Sequence, residues 1–174
     1  FEDTWKALDI SHDDFIRTSE PRHHRSVQAI FAKIDAAGDI HKGHYEGWYC
    51  VGCEAFKPEK DLVDGLCPNH RTKPDWVKEE NYFFALSRYQ EKLLALYEER
   101  PEFVRPPSRL NEVASFVRGG LKDLSITRTT VKWGVPVPGD PKHTIYVWFD
   151  ALHNYVTAIG YGWNAPLFEK FWPA

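Results

Sequence analysis

The sequence predicts an α/β fold with a metal-stapled middle segment, and three observations carry that expectation. Cys50-Val-Gly-Cys53 and Cys67-Pro-Asn-His70 are separated by thirteen residues, and no cysteine stands outside the two pairs. Apolar residues recur at helical spacing both before and after this segment. Near the C-terminal end, the run Thr144–Phe149 is continuous, β-branched and aromatic, and a helical pattern follows it directly. Such a run is expected of a parallel strand buried on both faces.

Element by element, Phe1, Trp5 and Leu8 fall at i, i+4, i+7 and predict a first helix. Residues 9–18 read as an extended passage. Ser19 offers a cap oxygen and Pro21 suits a first turn. Val27, Ile30, Phe31 and Ile34 then form an apolar stripe that Gly38 terminates. From Ile40 to Lys78 the chain is rich in glycine, proline and aromatics, which predicts short strands and turns wrapped on a metal. A helix carrying Leu86, Tyr89, Leu93 and Leu96 ends before Pro101. Another, carrying Leu110, Val113, Ala114 and Val117, ends at Gly119-Gly120, and Pro106-Pro107 separates the two. Residues 134–141 read as a Pro/Gly-rich loop. Asp150 can cap a final helix bearing Leu152, Tyr155, Val156 and Ile159, closed by Gly160.

A chain of 174 residues with net charge −3 has room for one core or two small ones. The acidic balance argues against a free-standing nucleic-acid binder. No stretch approaches the roughly 18 apolar residues of a membrane span, and no secretory leader is visible, so a soluble, cytoplasmic protein without a membrane partner is expected. An odd cysteine count in C-x-x-C and C-x-x-H pairs also argues against a secreted disulfide framework. The sequence contains no methionine and begins at Phe1, as expected of a trimmed chain or an excerpt of a longer one.

Cys50, Cys53, Cys67 and His70 have the spacing of a closed tetrahedral zinc site, with Gly52 and Gly65 as turn residues. Four protein ligands fill the coordination sphere and leave no position for a reactive water, so one structural Zn2+ is expected. His41 and His44 fit no zinc spacing as well and read as solvated loop histidines. The adjacent His23 and His24 diverge around their helix and read as surface positions.

At the carboxyl end of the predicted strand, Trp148 would form a flat apolar wall. Tyr155, one helical turn past Ala151, would add a second aromatic with a hydroxyl. Sulfur–aromatic contacts suit such a wall to a thioether. A tryptophan in a buried strand can equally serve as core.

The segment Tyr146-Val-Trp-Phe-Asp-Ala-Leu-His-Asn-Tyr155 resembles the methionine-pocket motif of bacterial methionyl-tRNA synthetases. Asp13–Thr18, Tyr45–Cys53 with Cys67–His70, Asn81–Phe84, Asn111–Val113 and Asp123–Arg128 resemble further family segments in the family's order. The resemblance implies a class I synthetase Rossmann-like catalytic fold interrupted by a zinc-knuckle connective insertion. It divides the chain into 1–36, the end of the first catalytic half; 37–122, the insertion; and 123–174, the start of the second half. It implies Trp148, Ala151, Leu152 and Tyr155 as methionine-pocket residues, although other members place proline at the position of Leu152. It matches Cys50, Cys53, Cys67 and His70 to the zinc ligands. Arg128 enters the catalytic fold with either an active-site role or a surface ion pair.

The implied activity is that of a methionine–tRNA ligase, with methionine, ATP, Mg2+ and tRNA(Met) as partners of the parent enzyme. The sequence contains no His-x-Gly-His and no Lys-Met-Ser-Lys-Ser-like loop, the elements that serve ATP in class I enzymes. An internal fragment, inactive alone and without a catalytic residue of its own, is therefore expected. Synthetases for leucine, isoleucine or valine need a far larger insertion than residues 38–120 allow. A non-catalytic zinc module binding RNA or a protein partner is the alternative from another class. It would call for a basic face, which the charge balance does not supply.

Overall fold

The computed structural model describes residues 1–173, with Ala55 described by its backbone alone. Position 174, the last of the predicted C-terminal segment, lies outside the described residues. The chain divides into two compact units, one formed by residues 1–33 with 133 onward and the other by Ile34–Lys132.

In the first unit, helix α1 (Glu2–Ala7) precedes an extended passage and helix α2 (Pro21–Ala36). Val27 and Phe31 of the predicted stripe are buried, and burying each contributes about 1.5–3 kcal/mol. His23 lies one turn before Val27 on the same stripe and is fully buried, contrary to the surface position expected of it. The helical period carries it inward, and a carboxylate partner offsets its desolvation. Gly38 takes a left-handed φ of 77°, which ends the helix.

The second unit is built on a sheet whose strands lie in the order β2 (Ala55–Lys57), β1 (Ile40–Cys50), β3 (Asp75–Phe84) and β4 (Leu124–Ser125). Strand β1 (Ile40–Cys50) pairs antiparallel with β3 (Asp75–Phe84) from Ile40↔Phe84 to Tyr49↔Asp75. Short strands were expected here, yet the two form one long ribbon. Its cross-strand pairs explain the length: Trp48 opposes Trp76 edge-to-face at 5.1 Å, and Glu46 meets Lys78 at 3.1 Å. His41 and His44 are therefore strand residues rather than loop residues. Strand β2 (Ala55–Lys57) adds to β1, and helices α3 (Gln90–Glu99) and α4 (Pro107–Arg118) follow, although Leu86–Tyr89 of the first predicted helix form a 3-10 turn before α3. Strand β4 (Leu124–Ser125) joins β3, and β5 (Thr127–Arg128) follows, with Thr127 Oγ1 accepting from the Tyr82 amide.

Returning to the first unit, the expected loop at 134–141 holds a hairpin instead. Strand β6 (Pro136–Val137) pairs antiparallel with β7 (Asp140–Ile145), and Gly139, at φ 77°, makes the reversal. The strand predicted over 144–149 ends at Ile145, and its pairing with β6 is antiparallel rather than parallel. Val147, Trp148 and Phe149 belong to helix α5 (Val147–Leu152), which continues almost without a break into α6 (Asn154–Ala158). Local β propensity loses here to tertiary packing. Helical spacing carries Phe149 and Asp150 onto α2 together, which the alternation of a strand could not do. Asp150 is consequently a buried residue inside α5, not the cap of a later helix. Helix α7 (Ala165–Phe171) closes the chain, capped by the Asn164 side chain. Among the described residues, no helix is long and apolar enough to cross a membrane.

Candidate metal centre and pocket face

Cys50 ends β1, so the ribbon delivers the first thiol to a fixed point. The chain then turns through a short 3-10 segment, Val51–Cys53, closed by Glu54 in the left-handed region at φ 48°. On the other side, Val63 and Leu66 bridge in a tight turn that presents Cys67. The Cys67 carbonyl accepts from the Arg71 amide at 2.7 Å, and its amide donates to the Thr72 carbonyl at 2.9 Å. This double tie folds Cys67–His70 into a knuckle.

The ligand atoms of Cys50, Cys53, Cys67 and His70 all lie within 4.8 Å of one another. His70 Nδ1 faces the three sulfurs at 3.8, 3.2 and 3.9 Å, and the Cys53 and Cys67 sulfurs are 3.6 Å apart. An ion held at about 2.3 Å by thiolates and about 2.0 Å by an imidazole has tetrahedral edges of about 3.5–3.8 Å. The four groups therefore form a possible Cys3His metal site. Burial pushes the Cys67 thiol up, but hydrogen bonds from the His70 amide and ring and from Cys50 outweigh it and hold Cys67 at about 6. Burial and contact with the other two sulfurs raise Cys53. One ligand is thus set up as thiolate at neutral pH, the form a soft metal takes. Glycine is required at 52 because a Cβ there would meet the His70 ring at 2.7 Å. The sequence marks that position only as a turn.

The second group of predicted residues lies on α5 and α6. Trp148, Ala151, Leu152 and Tyr155 stand at i, i+3, i+4 and i+7 and so share one helical face. That face is open: Trp148 is 63 % exposed, Leu152 63 % and Tyr155 72 %. The opposite face is buried and was not foreseen. There, His23 Nε2 lies 2.5 Å from Asp150 Oδ1, and His23 Nδ1 lies 3.3 Å from Thr157 Oγ1. The apolar stripe of α2, extended back one turn from Val27, would have pointed to His23. Burial, and then the charge of His23, lower the pKa of the neighbouring His153.

Arg128 is buried rather than at the surface. It donates to Ser125 Oγ at 3.0 Å and to the Thr127 carbonyl at 2.7 Å, with its guanidinium 5.7 Å from the Phe56 ring centroid.

The whole chain matches the family described as tRNA synthetases class I (M), over residues 1–75 and 69–174. It is 53 % identical to the methionine–tRNA ligase of Thermotoga maritima over 178 residues, covering 100 % of this chain and 28 % of that protein. The methionine–tRNA ligase of Streptomyces coelicolor is 54 % identical over 98 % of this chain and 33 % of its own length. Among solved structures, Mycobacterium tuberculosis methionyl-tRNA synthetase in complex with methionyl-adenylate superposes with a TM-score of 0.90 at 47 % identity. The match covers 99 % of this chain and 35 % of that one. The chain thus spans about a third or less of the relatives it matches.

Proposed function

This chain belongs to the class I (M) tRNA synthetases, and from that footing we propose that it supplies the metal-bound insertion and one wall of the methionine pocket to a methionine–tRNA ligase. In this reading residues 1–36 end the first half of the catalytic fold, 37–122 form the connective insertion and 123–174 begin the second half. The parent reaction joins the methionine carboxylate to the α-phosphorus of ATP and expels pyrophosphate. A ribose hydroxyl of tRNA(Met) then takes the methionyl group and releases AMP. Mg2+ would accompany the nucleotide, and the family membership supports a cytoplasmic site of action.

The observation that carries this reading is the grouping of Trp148, Ala151, Leu152 and Tyr155 on one open helical face. The Trp148 indole and Tyr155 ring suit a thioether, because polarizable sulfur gains from aromatic contact where a branched alkyl group does not. The small Ala151 between them leaves room for the ligand to approach the helix. The likeness to the Mycobacterium tuberculosis enzyme in complex with methionyl-adenylate supports the same substrate.

Cys50, Cys53, Cys67 and His70 would hold one structural Zn2+. A soft sulfur-rich donor set of tetrahedral size suits that ion, which would cross-link two loops at the tip of the β1–β3 ribbon. No step of the reaction needs to pass through it.

The test is methionine-dependent exchange of pyrophosphate into ATP by the full-length protein that carries this segment, alongside its metal content. Exchange that requires methionine and rejects leucine, with one equivalent of zinc, is expected. Exchange indifferent to methionine would overturn the functional reading.

A further inference from the structure

The α5–α6 segment turns two faces in opposite directions. Trp148, Leu152 and Tyr155 point outward, while Phe149, Asp150 and Thr157 pack toward α2. The apolar part of that contact is the Phe149 ring set edge-on to Phe31 at 6.5 Å. Apolar contacts carry little direction, and rings at this distance tolerate rotation of the helix.

The polar part does not tolerate it. His23 is fully buried, and both its ring nitrogens are engaged, Nε2 by Asp150 and Nδ1 by Thr157. The Thr157 hydroxyl is itself tied to the His153 carbonyl at 2.9 Å, one turn back. One imidazole of α2 therefore pins both helices of the segment. Slipping α5 by a single residue would swing Asp150 away by about 100° and leave two buried polar groups unpaired. Beyond α6 the chain stays clamped to its surroundings. Trp163 Nε1 donates to the Thr157 carbonyl at 2.7 Å, and Gly162 lies so close to Ser26 that a Cβ would stand 3.1 Å from its Cα. Asp150 is two residues from Trp148 and adjoins Ala151, so the rotation that satisfies His23 also sets the aim of the outward face.

We propose that His23 and Asp150, with Thr157, are positioning residues for methionine recognition, locking the rotation of α5 and α6 so that Trp148 and Tyr155 face the substrate together. The proposal rests on the methionine reading of that outward face. A device of this kind touches neither substrate nor nucleotide, so it should act on one substrate selectively.

The experiment is steady-state pyrophosphate exchange with the full-length protein, varying methionine and ATP separately, with thermal melting of each variant. His23→Ala should raise KM for methionine about tenfold and leave KM for ATP within about twofold. His23→Gln, whose Nε2 can reach Asp150, should recover most of that loss. Thr157→Val keeps the side-chain shape and removes only the hydroxyl. It should show the same selectivity at about threefold, and it decides the matter if His23→Ala does not fold. A wild-type protein without methionine-dependent exchange would overturn the functional reading and this one with it. A working wild type whose variants lose methionine and ATP affinity equally, or neither, would overturn the positioning role alone.

Discussion

Gly52 lies against the His70 imidazole so closely that a Cβ there would stand 2.7 Å from Cδ2 and 2.9 Å from Cγ and Nε2. The first knuckle therefore seats the ring that the second knuckle supplies. This contact fixes which nitrogen faces the three sulfurs, because the imidazole has Gly52 on one side and Nδ1 toward the cysteines on the other. Outer contacts that orient a ligand commonly govern metal affinity as strongly as the ligand's own chemistry.

Gly52→Ala should accordingly push the His70 ring out of its seat. The expected loss is about tenfold or more in metal affinity, with the three thiols intact. Competition with a chromophoric chelator measures it. Affinity equal to wild type would show that the ring can be seated elsewhere.

Removing the metal should loosen one part of the second unit and spare another. The segment from Cys50 to Thr72 has few buried side chains apart from the ligands themselves, Cys50 and Cys67 being the buried apolar ones. Metal binding free energy is folding free energy in such a segment. Chelation, or Cys67→Ser, should abolish hydrogen-exchange protection around residues 50–72. The paired register from Ile40↔Phe84 to Gly47↔Val77 should persist, since its ladder does not depend on the ion. Melting should fall by about 10 °C or more. Uniform loss of protection along the whole ribbon would refute this division.

A separate device governs acid behaviour where α2 gives way to β1. The Tyr89 hydroxyl donates to Asp39 Oδ2 at 2.5 Å, and Arg88 donates to Oδ1 at 2.9 Å. The tyrosine bond, more than the guanidinium, holds the Asp39 carboxyl below the ordinary carboxylate range. A carboxyl depressed by folding contributes stability above its unfolded value, about 4, and loses that contribution as pH falls through the folded value. Tyr89→Phe should therefore melt below wild type at pH 6, and the gap should close as pH falls through the folded value. Melting curves across that range, with the Asp39 titration followed by NMR, supply the check. A gap that widens in acid would reverse the assigned sign.

Much of this was legible in the sequence because local pattern and tertiary need agree there. The cysteine and histidine spacing shows which four groups converge, and the stripes at 27–34 and 110–117 mark real helices, while the stripe at 86–96 spans a 3-10 turn and then α3. Where the two disagree, local pattern misleads. Val147, Trp148 and Phe149 carry strand propensity, but Asp150 must reach His23 and Phe149 must reach Phe31, and a helix satisfies both. His23 read as a surface residue because its partner lies 127 positions away, and nothing local signals a carboxylate at that distance. The hairpin at 136–145 was hidden for a related reason. Proline and glycine mark a turn without revealing that the residues on either side will pair.

The outward face of α5 offers the sharpest separation of packing from recognition. Trp148 is 63 % exposed and Phe31 only 3 %, so the two aromatics should respond oppositely to truncation. Phe31→Ala removes a core ring and should cost about 3–4 kcal/mol of folding free energy. Trp148→Ala removes little buried surface and should change stability by about 0.5 kcal/mol or less. Its effect should fall on methionine instead. Losing a sulfur–aromatic contact of about 1.4 kcal/mol weakens binding about tenfold, and Trp148→Phe should recover part of it by keeping a ring. Paired melting and methionine titrations of the full-length protein distinguish the cases. If Trp148→Ala destabilised the fold as much as Phe31→Ala and left methionine binding intact, the indole would be core and the open face would not be a pocket wall.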